Sequence, residues 1–198
     1  MKHFLLMLIF LALFSLTALA QNKLSIAIQP LGPMDKKLVE QVKEMILATY
    51  LIDVVILPTQ SLPSEAYYAP RNRYRAEKLA LYLGNIDSKT TKILGITAKD
   101  ISTTKGEFQD WGIFGLALLG QRGAVVSTFR LKKNQANQKL YLERLGKIVS
   151  HEIGHTFGLA HCPNATCIME DAAGTIKTVD REKDFCVECK NKLKGKLR

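Results

Sequence analysis

Histidine and cysteine residues are concentrated in one C-terminal window of this chain. Three of the four histidines and all four cysteines lie between His151 and Cys189, and the window opens with the sequence HEIGH at residues 151–155. Histidine nitrogens and cysteine sulfurs are the main zinc ligands in proteins, and their spacing here separates a histidine set from a cysteine set. The sequence therefore predicts two zinc sites, one catalytic and one structural.

The histidine set has the spacing of a zinc site on a helix. His151 and His155 project from the same helix face and can each hold one shared zinc at about 2.0–2.1 Å. Glu152 lies beside the first ligand and can take a proton from a zinc-activated water. Gly158 can end the helix with a positive φ, so that the chain turns back and offers His161 as a third ligand. Three ligands leave a fourth position for water, which is typical of a catalytic site.

The extended spacing is more specific than the first five residues of the window. The pattern H-E-x-x-H-x-x-G-x-x-H followed by a methionine is that of the metzincin metallopeptidases. Met169 lies eight residues after His161, where that clan places a methionine beneath the metal. We expect Met169 to support the site by packing and not to bind zinc.

The cysteines form two close pairs, Cys162 with Cys167 and Cys186 with Cys189. Two such pairs favour a four-cysteine zinc site. The alternative is two disulfides, because exported proteins often use an even number of cysteines in this way. The second pair encloses only two residues, so a disulfide there would close a small ring and contribute little loop-closure entropy.

The N-terminus has the pattern of a cleaved export signal. A short basic start is followed by an apolar run at residues 4–16, and Ala18-Leu19-Ala20 supplies an A-x-A cleavage site. We predict a signal peptide at residues 1–20 and one domain at 21–198, in an exported protein without a stable membrane anchor. An uncleaved anchor is the alternative, although about 17 apolar residues are close to the lower limit for a membrane span.

The chain is basic, with 28 Lys and Arg residues against 18 Asp and Glu residues and a net charge of +10. Part of this charge lies in two patches, at residues 71–75 and 190–198. Neither patch has the motif of a nucleic-acid-binding module, so no nucleic-acid partner is expected. We interpret the positive charge as a solvated surface that keeps the protein soluble.

Strand and helix patterns alternate upstream of the window. Apolar runs bounded by prolines or polar residues predict strands at residues 24–28 (ending at Gln29-Pro30), 53–57 and 92–97. Helical periodicity predicts helices at residues 35–50, with Asp35 as N-cap, 74–83 and 140–159. Two further apolar runs, 113–119 and 124–129, predict a hairpin or a closely connected strand pair. The glycine-containing strand 114–117 would suit a sheet edge, where another backbone can approach closely, and an ordinary core strand is the alternative. Together these elements predict a compact single-domain α/β fold with a mixed twisted sheet and packed helices.

The whole window resembles the archaemetzincins, whose pattern unites the metzincin motif with a second site of four cysteines. The matching residues are His151, Glu152, His155, Gly158, His161, Cys162, Cys167, Met169, Cys186 and Cys189. Upstream, residues 73–76, 115–117 and 124–131 also resemble segments of that family. The resemblance therefore covers most of the chain after residue 20.

The resemblance implies a metzincin-like fold whose sheet edge borders a cleft above the active-site helix, followed by a zinc-stabilised C-terminal segment. It implies a catalytic zinc on His151, His155 and His161, with Glu152 as general base, and a structural zinc on the four cysteines. The expected activity is hydrolysis of peptide or protein substrates, by a monomer. The alternative is a zinc-binding interaction module with weak or no catalysis, although such a module has no need for a base at Glu152.

Overall fold

The computed structural model describes residues 23–86 and 88–197, so the predicted signal peptide at residues 1–20 lies outside the described residues. Among the helices of these ranges, none combines the length and apolar character needed to span a bilayer. The elements follow in the order β1 (Ser25–Leu31), α1 (Lys36–Tyr50), β2 (Asp53–Ile56), β3 (Tyr67–Tyr68), β4 (Arg73–Arg75), α2 (Ala76–Gly84), β5 (Lys92–Thr97), β6 (Ile101–Lys105), β7 (Phe108–Ile113), β8 (Gly115–Ala117), β9 (Gly123–Ser127), α3 (Gln138–Thr156), α4 (Ile176–Arg181) and α5 (Val187–Lys196).

The main sheet is mixed and has helices on both faces. Its strand order is β2-β1-β5-β9-β8, with the first four strands parallel and β8 antiparallel to β9. Successive residues of β1 face opposite sides. Ile26 and Ile28 pack in the core that contains α1 and α3, whereas Ala27 and Leu31 pack with α2. This arrangement confirms the predicted mixed α/β fold.

Several predicted boundaries were close, and three were wrong. The strand β1 continues through Pro30 to Leu31, because Pro30 lies beyond the end of β2 and its carbonyl accepts a hydrogen bond from Gln60 N at 3.0 Å. The helix predicted from residue 74 begins at Ala76, since Tyr74 pairs with Ile101 in a strand. The helix predicted to reach residue 159 ends at Thr156. The hairpin of β8 and β9 and the edge position of β8 are confirmed.

A second sheet, of order β3-β4-β6-β7, was missed by the sequence analysis. Ion pairs tie it to the rest of the domain: the Asp100 carboxylate lies 2.7 Å from the Arg73 guanidinium and 2.6 Å from that of Arg130. Asp110 on β7 is 2.8 Å from Arg73. Since only Phe114 separates β7 from β8, this sheet runs directly into the edge strand of the main sheet.

The long helix α3 is fixed in place by buried polar contacts as well as by its apolar face. The Tyr50 hydroxyl on α1 donates to the carbonyl of Ser150 at 2.5 Å. The buried Arg144 guanidinium makes a bidentate contact with the Asp180 carboxylate at 2.7 and 2.8 Å, which joins α3 to α4. The helix that carries the histidine motif is therefore held near its N-terminal part by Arg144 and near the motif by Tyr50.

Candidate active site

The helix α3 ends at Thr156, directly after the second motif histidine, and the chain turns at the glycine that the sequence predicts. Gly158 has a φ of +84°, in the left-handed region. Its N–H donates to the carbonyl of His155 at 2.9 Å, and the Lys92 ammonium donates to the carbonyl of Thr156 at 2.6 Å. With the last carbonyls of the helix satisfied in this way, the chain turns back and brings His161 toward α3.

The three histidines converge on one point. One ring nitrogen from each of His151, His155 and His161 lies within 4.8 Å of the others. The Nδ1 atoms of His151 and His155 lie 2.6 Å from the carbonyls of Ile168 and Leu159, respectively. A carbonyl can only accept, so each Nδ1 carries the proton and each Nε2 keeps a free lone pair.

The histidine cluster fits a zinc ion in both charge and spacing. Burial lowers the pKa of His151 to about 3 and lowers that of His155, so both rings are neutral, as metal ligands must be. Two nitrogens each about 2.0–2.1 Å from a tetrahedral ion are about 3.4 Å apart. The distance between Nε2 of His155 and Nε2 of His161 is 3.3 Å.

The side chain of Glu152 extends from α3 toward the edge strand β8. Its side chain is buried, and burial raises its pKa to about 8, while the backbone N–H of Ala117 acts in the opposite direction. A Cβ atom on Gly115 would lie 2.6 Å from Cγ and Oε1 of Glu152. Gly115 is therefore the position of β8 against which the Glu152 carboxylate packs, so a side chain and not a backbone makes the close approach at this glycine.

Met169 is fully buried and lies under the helix between the two motif histidines. A Cβ atom on Gly154 would be 2.8 Å from its sulfur, and its carbonyl accepts a hydrogen bond from Cys162 N at 2.7 Å. This contact links the segment that carries His161 to the base of the site. This placement is the packing role that was predicted for Met169.

The four cysteines form a second cluster next to the first. The sulfur atoms of Cys162, Cys167, Cys186 and Cys189 all lie within 4.8 Å of one another, and all four are free thiols. Sγ of Cys162 and Sγ of Cys186 are 3.8 Å apart. Sulfurs about 2.3 Å from a tetrahedral zinc have this separation, whereas a disulfide requires about 2.05 Å.

Backbone N–H groups surround the cysteine sulfurs. Sγ of Cys167 lies 3.4 Å from Met169 N and 3.3 Å from Cys186 N. The N–H of Cys189 lowers the pKa of Cys186 to about 7, whereas burial raises the pKa values of Cys167 and Cys189. Four thiols packed together need a cation before all of them can ionise, and the cluster supplies the donor set that zinc prefers.

The histidines and Glu152 face a cleft of about 320 Å³. Several residues of its walls were not predicted from the sequence, including Trp111 on β7, Ile148 on α3 and Glu182 after α4. Glu182 has only 3% of its surface exposed. Nothing in the spacing of the sequence marks Trp111 or Glu182, because they reach the cleft through the second sheet and the packing of α4 on α3, whereas Ile148 lies three residues before His151 on the same helix face.

Comparison with known proteins identifies the family. The sequence profile described as peptidase family M54 matches residues 26–195. The chain belongs to this family. The archaemetzincin of Haloquadratum walsbyi is 34% identical over 174 residues, which cover 84% of this chain and 97% of that protein. The crystal structure of archaemetzincin from Methanopyrus kandleri has a TM-score of 0.78 and 31% identity, covering 91% of this chain and 98% of that one.

The archaemetzincin from Archaeoglobus fulgidus gives the same result. Its crystal structure has a TM-score of 0.73 and 35% identity, covering 85% of this chain and 99% of that one. The predicted fold and the predicted zinc metallopeptidase of the archaemetzincin family are thereby confirmed. As a member of a peptidase family, the enzyme acts on peptides or proteins.

Proposed function

We propose that this archaemetzincin hydrolyses peptide bonds at the histidine cluster, with Glu152 as general base. The observation that carries the proposal is the position of Glu152, buried beside three converging histidine nitrogens and facing the cleft. A mixture of peptides digested by the zinc-loaded protein, with products identified by mass spectrometry, tests it. Cleavage that stops on chelation and returns with zinc supports the proposal; a digest without new termini contradicts it.

His151, His155 and His161 would hold the catalytic zinc through their free Nε2 atoms. When bound, zinc would supply a Lewis acid that polarises the scissile carbonyl and lowers the pKa of the attacking water. The carbonyls of Ile168 and Leu159 keep two of the rings in the orientation and tautomer that this role needs.

Glu152 moves the proton. A positive charge held by the histidine cluster would lower the raised pKa of Glu152 and favour its ionised form. The carboxylate then accepts a proton from the attacking water and donates it to the nitrogen of the leaving amine. Burial next to β8 keeps the carboxylate away from bulk water, which strengthens its interaction with the reacting atoms. In the described ranges, no strand pairs with the outer edge of β8, so its backbone groups other than the Ala117 N–H, which contacts Glu152, can align an extended peptide along the cleft.

The four cysteines would hold a second, structural zinc. The separation of 3.8 Å between two of the sulfurs and the N–H groups directed at Cys167 support this assignment. Since Cys162 follows His161 directly, a closed site at the cysteines fixes the segment that presents the third histidine ligand.

A substitution at Gly115 tests the contact between β8 and Glu152. Gly115→Ala is expected to lower kcat/KM about 10- to 100-fold, because the added Cβ would collide with the Glu152 side chain and displace its carboxylate from the reacting atoms. Zinc content should stay unchanged. Gly146→Ala is the matched control on α3, since its Cβ would be 3.5 Å from the Met45 sulfur, an ordinary contact. Equal activity of the two variants would contradict the proposed position of Glu152.

We also propose that the protein is exported, with a mature start at Gln21. The proposal rests on the apolar run and the A-x-A site before that residue. Mass spectrometry of the protein from the native host's envelope and medium is expected to find Gln21 at the N-terminus. Recovery of the chain with residues 1–20 intact would instead indicate an anchored or cytosolic protein.

A further inference from the structure

Glu182 is a buried carboxylate on the cleft wall that the proposed reaction does not use. It follows α4 directly, its exposed fraction is 3%, and it lines the same cavity as His151 and Glu152. Its Oε2 atom is buried and has no hydrogen-bond partner among the described residues. Burying a carboxylate oxygen without a hydrogen-bond partner costs free energy. Its position in a substrate cleft therefore points to a ligand that supplies the missing partner.

The nearby cations of the protein are engaged elsewhere. Lys147 directs its ammonium to the carbonyl of Val179 at 2.9 Å. Arg181 pairs with Glu170 and also donates to the carbonyl of Ala165 at 2.9 Å. Burial, the main cause, raises the pKa of Glu182 to about 7, and Lys147 only partly offsets this effect. A cationic group of the substrate would therefore reach a carboxylate whose negative charge is not neutralised by an ion pair with Lys147 or Arg181.

Glu182 differs in this respect from Asp171, the acidic residue that lines the cleft together with Glu152 and Glu182. Asp171 accepts a hydrogen bond from Ala173 N at 2.7 Å, and the Lys105 ammonium lies 4.0 Å from its carboxylate. The walls also contain apolar side chains, including those of Ile148 and Trp111. A long aliphatic side chain with a cationic end matches this combination of an apolar wall and one unpaired carboxylate.

We propose that Glu182 forms an acidic subsite that selects a lysine or arginine side chain adjacent to the scissile bond. The proposal rests on the peptidase activity proposed above and names the substrate class of that site. Because Glu182, His151 and Glu152 line one cavity of about 320 Å³, a side chain that reaches Glu182 belongs to a residue close to the reacting bond.

The test uses pairs of peptides that differ in one charge. In a peptide that the zinc-loaded enzyme cleaves, each residue flanking the bond is changed in turn to lysine, norleucine, arginine, citrulline or glutamate. At one position, kcat/KM is expected to be about 10- to 100-fold higher for lysine than for norleucine, and for arginine than for citrulline, as for one charged hydrogen bond. Equal rates within both pairs at both positions overturn the proposal.

Variants of Glu182 assign the preference to this residue. Glu182→Gln is expected to bring both ratios close to one while cleavage of the norleucine peptide continues, and Glu182→Lys is expected to favour glutamate. Glu143→Gln is the matched control, because it removes an exposed carboxylate from α3 and should keep the wild-type ratios. Unchanged ratios in Glu182→Gln overturn the proposal. If Glu182→Gln instead lowers the unfolding temperature by about 5 °C or more, the carboxylate is structural and the proposal is also overturned.

A binding measurement separates the subsite from the chemistry. Trp111 is the single tryptophan of the chain and lines the cleft, so its fluorescence reports occupancy. In the zinc-loaded Glu152→Gln variant, lysine peptides are expected to bind about 10-fold or more tightly than norleucine peptides, and adding Glu182→Gln should remove the difference. Selective binding without cleavage by the wild type would refute the proposed activity alone; binding without selectivity would refute the subsite alone.

Discussion

Replacing Glu152 by glutamine is expected to lower kcat/KM for peptide hydrolysis about 10²- to 10⁴-fold, the usual contribution of a general base. Glutamine has nearly the same shape and can still accept from the N–H of Ala117, but it cannot take a proton from water. Zinc content and unfolding temperature should remain close to those of the wild type, because Glu152 is assigned no coordination role. Peptide kinetics, elemental analysis and thermal unfolding of the purified variant measure the three quantities.

Two comparisons make this result specific. Glu143→Gln, on the exposed side of the same helix, removes an equal charge and should keep wild-type activity. Glu152→Ala should be as inactive as the glutamine variant, since both lack a proton acceptor. Wild-type turnover in either Glu152 variant would contradict the proposed mechanism. Loss of zinc together with unfolding would show that Glu152 is a structural residue.

The histidine site could be predicted because its determinants are local. The spacing of His151 and His155 specifies one helix face, and Gly158 specifies the left-handed residue that ends the helix. Both features depend on neighbours in the chain, so tertiary context had little opportunity to change them. The cysteine cluster was predictable for a related reason. Each close pair places two sulfurs near each other through the local chain, so the cluster needs only the packing of one pair against the other.

The second sheet could not be predicted because its determinants are distant in sequence. The strand β6 begins with Ile101 and continues as Ser-Thr-Thr-Lys, without the apolar alternation that marks a half-buried strand. Tyr74 and Arg75 were predicted to begin a helix, but they lie in the strand Arg73–Arg75, which ion pairs of Arg73 with Asp100 and Asp110 stabilise. Tertiary contacts of this kind override local propensity.

Glu182 was missed for a related reason. In the sequence it stands between Arg181 and Lys183 and has the pattern of a solvated surface charge. Its burial follows from the packing of α4 against α3, which the buried contact between Arg144 and Asp180 fixes. The part of the cleft that distinguishes one substrate from another is therefore built by long-range packing, whereas the part proposed for the chemistry is encoded locally.

The metal content is expected to be two zinc ions per chain, in sites that respond differently to chelation. The proposed histidine site would have three protein ligands and an open position, so a mild chelator should remove one zinc and the activity while the protein stays folded. The proposed cysteine site would be closed, and its binding free energy would be part of the folding free energy. Elemental analysis and circular dichroism after graded chelation measure the two steps. A single step that removes both ions and unfolds the protein would contradict two independent sites.

Cys186→Ser is expected to remove the second zinc and to lower the first along with it. Loss of one thiolate opens the cysteine site, and Cys162 can then no longer fix the adjacent His161 or the hydrogen bond from its own N–H to the Met169 carbonyl. Activity should fall at least about tenfold, because His161 is then no longer held in position to bind the catalytic zinc. Val187→Ser, at the neighbouring exposed position, is the matched control and should keep both ions.

Alkylation of the denatured wild type decides between metal and disulfides. Four reactive thiols with two zinc ions support the proposal, whereas one zinc and no reactive thiols would mean that two disulfides take the place of the second site.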